Sequence, residues 1–354
     1  MAGAPSSMNE KNERRGPHRR TISVALCAFE GERYLAGQLE SIASQTRPPD
    51  ELVLCDDGSS DGTVRIARSF AAQAPFPVRV EVNERRLGST KNFEKAISLC
   101  RGDLIAMSDF DDVWLPHKLS VLETALSAEP EAGLVFSDAE VVAEDLRPLG
   151  YRFWQSIRLG RRELGLIDEG RAFELLLRRT VVGGATSMFR ALHRDALLPI
   201  PESWLHDAWI ALIISAKARP LAVPEPLMKY RQHSANQTGG RKRGIVEQAS
   251  RSFVGGAQAY ELAAGQFEEA RERLMGRPGA VWSEDRTLLL RRLDEKIAHV
   301  RKRALMPSSG LRRLPMLAEE LCSGRYHRYS NGMKSAWRDL FAPPRTETGV
   351  HGHI

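Results

Sequence analysis

The first 140 residues of the chain alternate between two hydrophobic rhythms. Short apolar runs occupy residues 21–27, 51–55, 78–82, 103–107 and 133–136. Each is the length of a buried strand. Between them the apolar side chains fall three and four apart, as Tyr34, Leu35, Leu39 and Ile42 do within residues 32–44. The same spacing predicts helices from Ser60 or Asp61 to about Ala72, over 92–100 and over 115–128. Strands alternating with helices of this length indicate an α/β chain with a mostly parallel sheet and crossover helices. Ligands in such sheets bind beyond the carboxyl ends of the strands.

Past Asp138 the alternation becomes irregular. Gly183-Gly184 predicts a tight turn before a short strand to Phe189. Residues 204–217 read as a strongly apolar helix and 224–231 as extended chain. The apolar stretch from Trp209 to Ala216 falls short of the roughly 18 residues of a membrane span. A Gly/Arg/Lys stretch near 239–244 marks a boundary. Amphipathic helix follows over 245–303, interrupted near 276–279, and again over 311–340. The expected organisation is a disordered basic terminus (1–20), a catalytic domain (21–240), a basic helical region (241–345) and a flexible tail (346–354). No internal repeat is present.

Composition changes this picture only through charge. The net +6 divides unevenly. Residues 1–20 hold 5 basic and 2 acidic side chains, 21–240 hold 25 and 30, and 241–345 hold 21 and 12. An acidic body that handles an anionic substrate needs a cation to neutralise charge. A basic tail suits an anionic membrane surface. No motif for nucleic acid accompanies it. The first 20 residues lack the apolar centre of a secretory signal. Cys27, Cys55, Cys100 and Cys322 show no metal or redox spacing, so no disulfide is expected. These features fit a cytoplasmic protein at, or near, the inner face of a membrane.

Candidate chemistry gathers at predicted strand ends. The run from Leu104 to Met107 leads into Ser108-Asp109-Phe110-Asp111-Asp112. Two carboxylates one residue apart suit Mg²⁺ or Mn²⁺, which prefer carboxylate and phosphate oxygens to an all-protein cage. Asp112, ahead of Val113-Trp114, reads as a cap for the next helix. Asp56-Asp57-Gly58 is either a plain turn or a clamp for a base and ribose. Asp207 is placed either as a helix N-cap or as a general base, and His206 could serve as that base instead. His233 lies in a polar loop. Arg85, Arg86 and Lys91 could reach phosphates, although exposure is the default for such side chains.

The ordered set of segments resembles the family 2 glycosyltransferases, which have the GT-A fold, a Rossmann-like nucleotide-diphospho-sugar transferase architecture. The matching segments are Ser23 to Gly31, Gln38 to Ile42, Glu51 to Thr63, Ser108 to Trp114 with Pro116 to Leu119, and His206 to Trp209. Tyr230-Arg231-Gln232-His233 is similar to a segment of the rhamnosyltransferase-like branch. The resemblance covers about residues 21–240. It implies inverting transfer of a sugar from a nucleoside diphosphate, dTDP-L-rhamnose or alternatively a UDP-sugar, to a hydroxyl of a surface glycan or lipid-linked acceptor. It implies Asp207 as base, with His206 beside it, and a metal at Asp109, Asp111 and His233. The donor would lie against Ala28, Glu30, Asp56, Asp57, Lys91, Asp109 and Phe110. The acceptor would meet Gly183, Gly184 and Trp209. Phe110 and His206 depart from residues frequent in relatives, which bears on the sugar and acceptor.

Two other functions fit parts of the pattern. A phosphohydrolase of the haloacid dehalogenase type could use Asp109-Phe110-Asp111 as its nucleophile loop, but would leave Asp57 and Asp207 without work. A non-catalytic nucleotide-sugar binder would not need Asp207 beside the metal acids.

Overall fold

A computed structural model of the chain describes residues 19–233, 257–276, 285–307 and 310–341. The expected disordered terminus, the 240 boundary and the 346–354 tail lie outside these residues, apart from 19–20. The strands are β1 (Ile22–Ala28), β2 (Glu51–Asp56), β3 (Val78–Val82), β4 (Leu104–Asp109), β5 (Val113–Trp114), β6 (Ala132–Val142), β7 (Pro148–Arg152), β8 (Ser187–Arg190) and β9 (Arg219–Arg231). They form one nine-stranded sheet in the order β3-β2-β1-β4-β8-β6-β9-β5, with β7 on β6.

The half containing β3, β2, β1 and β4 is parallel. Its connections are the helices α1 (Leu35–Ala43), α2 (Thr63–Ala71) and α3 (Ser89–Leu99). Strands β1, β2 and β4 are buried on both faces, which is why they read as apolar runs, whereas the edge strand β3 alternates valine with charged residues and is only partly buried. Register pairs Ala28 with Asp56 and Cys27 with Asp109, so the acidic strand ends share one edge. Strand β8 then runs antiparallel to β4 and β6.

Helix α4 (Lys118–Ala128) covers the other half of the sheet. Four short helices follow: α5 (Phe153–Ser156), α6 (Arg161–Asp168), α7 (Ala172–Arg178) and α8 (Arg194–Leu197). Helix α9 (His206–Ser215) is apolar all round because it is enclosed: nine of its ten residues are buried. The C-terminal region is helical, comprising α10 (Ala257–Met275), α11 (Arg286–Ala304), α12 (Gly310–Cys322), α13 (Arg325–Tyr329) and α14 (Met333–Phe341). It shares the main core through Ala270, Leu274, Leu289 and Leu293. No described helix is long and apolar enough to cross a membrane.

Candidate active site

A cleft of about 750 Å³ opens beyond the carboxyl ends of β1, β2 and β4. One end is built by the loops after β1 and β2. Asp56 is fully buried behind the wall and closes its own turn. It accepts from the Gly58 and Ser59 amides at 3.1 and 2.8 Å and from the Ser59 hydroxyl at 2.5 Å. Gly58 sits at φ +80, a conformation that side chains rarely adopt. Asp57 does line the cleft. It accepts from Asn83 Nδ2 at 2.9 Å and from the Leu87 and Gly88 amides at 2.7 and 2.8 Å, which pins the loop that carries Arg86. The Arg86 guanidinium lies 3.9 Å from the Phe29 ring centroid. Glu30 accepts from the Ser60 amide at 2.8 Å. Ala28, Glu30 and Phe110 also line this space.

The end of β4 supplies the acids. Asp109 faces the cleft, and its carboxyl is pushed up to about 7 by burial and by the charges of Asp111 and Asp207. Asp111 Oδ2 lies 2.8 Å from His233 Nε2, and the His233 ring stacks on Tyr34 at 4.9 Å. Asp112 does not cap the next helix. Val113-Trp114 pairs with β9 first, and α4 begins only at Lys118. Asp112 instead accepts from the Arg231 amide at 3.0 Å, fastening β9 behind the acids. Its other oxygen is buried and has no partner among the described residues. Burial, then Asp111 and Asp109, hold its carboxyl well above the ordinary range.

Beneath them lies Lys118, fully buried over the Trp114 ring at 3.9 Å and donating to the Ala185 carbonyl at 2.5 Å. Burial pushes its ammonium down to about 7 although Asp112 and Asp109 favour the charge.

The far wall comes from the Gly183-Gly184 turn and the first turn of α9. Asp207 is not an N-cap. Leu205 occupies that position, and Asp207 lies inside the first turn. Its carboxylate faces the cleft, with Oδ2 accepting from the Gly184 amide at 3.4 Å. Its charge is felt by Asp109 across the space. His206 is packed face to face on Phe93, 3.9 Å between ring centroids. Burial holds its imidazole below the usual histidine range, so the ring is neutral at pH 7. Phe153, Ile157, Val181 and Val182 make the apolar part of this wall.

Besides Asp56, which stays behind the wall, two more expected residues are not brought here. Lys91 turns away to Glu94 and the Ile200 carbonyl, at 2.8 and 2.7 Å. Trp209 is fully buried and donates to the Leu197 carbonyl at 2.9 Å. Others were not singled out for the site. Lys118 lies in a matching segment but has no role of its own in the resemblance. Glu144, which holds both Arg33 and the Tyr34 hydroxyl, sits in a turn with no local signature. Phe153 and Val181 come from the region of irregular pattern. Tyr34 could have been found, because it precedes its helix beside the first site loop.

The donor set suits a hard divalent cation. Asp109, Asp111 and Asp112 gather three carboxyls at one strand end, and burial, then neighbouring carboxylates, raise those of Asp109 and Asp112. Among the described residues no three His, Cys, Asp or Glu side chains form a cage by themselves.

Residues 23–197 match the family described as Glycosyl transferase family 2. An uncharacterized protein of Mycobacterium tuberculosis is 27% identical over 222 residues, 60% of this chain and 59% of the relative. The putative glycosyltransferase EpsE of Bacillus subtilis is 38% identical over 186 residues, 52% of this chain and 65% of the relative. The matched stretches thus span about three fifths of these curated relatives. Among solved structures, S. aureus TarS in complex with UDP-GlcNAc superposes with a TM-score of 0.52 at 14% identity, covering 79% of this chain and 71% of that one. The mannosyltransferase PcManGT from Pyrobaculum calidifontis, in complex with GDP-Man and Mn2+, gives 0.52 at 15%, covering 91% and 86%. At such identities these two likenesses bear on the fold. The family match favours the transferase reading over the phosphohydrolase one. Residues 23–197 belong to the family 2 glycosyltransferases, and the chain has their GT-A type of α/β fold.

Proposed function

We propose that this chain moves a sugar from a nucleoside diphosphate to an acceptor hydroxyl with inversion, using Asp207 as general base. One observation carries the reading. Asp207 lines the same cleft as Asp109, Asp111, Asp57 and Arg86. The base of the donor would lie against Arg86 and Phe29, with Asp57 accepting from it or from the ribose. The Tyr230 to His233 segment makes dTDP-L-rhamnose the first donor to test and a UDP-sugar the second. The acceptor is read as a growing surface glycan or a lipid-linked one.

Asp109 and Asp111, with His233 behind Asp111, would hold Mg²⁺ or Mn²⁺. Such an ion would stabilise the charge that grows on the departing diphosphate. His233 orients the Asp111 carboxylate through their 2.8 Å contact. The acceptor hydroxyl gives its proton to Asp207 as its oxygen attacks the anomeric carbon from the face opposite the diphosphate. The Gly184 amide fixes the Asp207 rotamer. His206 is the weaker candidate for base because its ring is stacked on Phe93 and buried.

The test is Asp207→Asn. The variant should keep the metal-dependent rise in Tm given by dTDP or UDP, since a ligand that binds only the folded state stabilises it. Transfer should fall by roughly 10²–10⁴-fold, the usual contribution of a general base. Undiminished transfer would move the role to His206. Loss of nucleotide binding as well would make Asp207 part of the donor site.

A further inference from the structure

The last helices of the chain form a small core around Leu317, Tyr326 and Ala336, yet carry several large apolar side chains on the opposite, exposed face. Helix α12 buries Arg313, Leu317 and Glu320 and turns Leu311 outward, 79% exposed. Helix α14 buries Ser335, Ala336 and Asp339 while Trp337 and Phe341 stand 55% and 63% exposed. Leu314 and Met333 are exposed on the same two helices. The helices meet end to end. Arg313 donates to the Asp339 carbonyl at 2.7 Å, so the first turn of α12 lies beside the last turn of α14. The Trp337 and Phe341 rings stack at 5.3 Å, nearly parallel. A contiguous apolar surface of this kind marks an interaction site.

The surrounding charge identifies the partner. Most basic side chains of this region are tied up internally: Arg301 pairs with Glu268, Lys302 with Glu319, Arg303 with Asp339, Arg325 with Glu320 and Arg328 with Glu295. Arg312 on α12 and Lys334 on α14 are exposed, with no ion pair among the described residues. They flank the apolar side chains. Exposed Trp, Phe and Leu bordered by unpaired cations match the boundary between lipid headgroups and acyl chains. A second copy fits less well. A two-fold contact would set this cation-bordered patch against its own image.

We infer that the exposed face of α12 and α14 docks the protein on an anionic lipid bilayer, with Trp337 and Phe341 entering the interface and Arg312 and Lys334 facing lipid phosphates. The inference does not depend on the transfer reaction.

The experiment is co-sedimentation of the full chain with vesicles of phosphatidylcholine alone or mixed with phosphatidylglycerol. Binding should appear on the anionic vesicles. Trp337→Ser with Phe341→Ser should lower partitioning by at least about tenfold, through loss of buried apolar area. Arg312→Gln with Lys334→Gln should lower it by about fivefold per charge at low salt. Both pairs are exposed and outside the cleft, so transfer to a soluble acceptor should be unchanged. Equal partitioning of wild type and the Trp337/Phe341 variant would overturn the inference, as would no binding to either vesicle. A dimer in solution that the same variant converts to monomer would assign the face to a second copy instead.

Discussion

Gly184 shows how tightly the site is built at the scale of one residue. A β-carbon there would stand 2.9 Å from His206 Nε2 and 3.4 Å from Asp207 Cβ. The first contact is closer than real β-carbons come, and a ring already stacked on Phe93 has little room to retreat. Gly184→Ala should therefore displace the first turn of α9. Stability should fall by about 1–3 kcal/mol, and transfer should fall more than nucleotide binding. A thermal melt with parallel transfer and nucleotide titrations would read both; a fully active variant would show that Asp207 tolerates movement. The acids and this turn were legible in the sequence because each is a local signature at a strand or helix end. The support behind them was not. The burial of Lys118 depends on where Trp114 and Ala185 arrive in space, and its own neighbours in the chain say nothing about that.

At the scale of elements, the inner parallel strands β1, β2 and β4 followed the hydrophobic pattern closely, because strands buried on both faces must be apolar throughout. Strand β6 did not. The apolar run 133–136 predicts a short strand, yet β6 spans Ala132–Val142. Register shifts between Ser137 and Asp138, and again between Asp138 and Glu140, carry it past the polar residues. Asp138 is tolerated there because it accepts from the Ala139 and Trp154 amides, at 2.8 and 2.9 Å. Helix α10 illustrates a second kind of hidden order. Trp204 donates to the Gln266 carbonyl at 3.0 Å and meets Phe267 edge-on at 5.6 Å. Arg273 donates to the Ala196 and Pro199 carbonyls at 3.1 and 2.6 Å. Periodicity announces the helix but not the surface it joins. Trp204→Ala should cost about 3–5 kcal/mol and open α10 to proteolysis before the sheet. Limited digestion with the melt would check this, and protection equal to wild type would mean the arginine contacts alone hold the helix.

At the scale of the whole molecule, the C-terminal helices are packed into the same core as the catalytic sheet, so acid should unfold them together. His193 gives a way to see it. Its ring follows β8 and lies over β6, where Gly133 leaves room for it. Burial, then the charges of Lys217 and Arg190, hold its imidazole down to about 4 from 6.5. In the unfolded chain this histidine takes up a proton near 6.5, while in the folded chain it does so only near 4. Between those values the unfolded state binds more protons. The stability His193 permits is thus fully present above pH 6.5 and drains away as pH falls toward 4. The difference amounts to at most about 3 kcal/mol. Lys217 and Arg190 keep their charge throughout this window, so they shift the curve without shaping it. Urea midpoints measured at pH 7, 5.5 and 4.5 should fall steadily for the wild type. His193→Gln, with nothing to protonate, should start lower at pH 7 and fall less steeply. Parallel profiles for the two proteins would mean that carboxylate protonation elsewhere governs the acid limb, and that the buried ring at position 193 is relieved in some way that its packing against Gly133 does not provide.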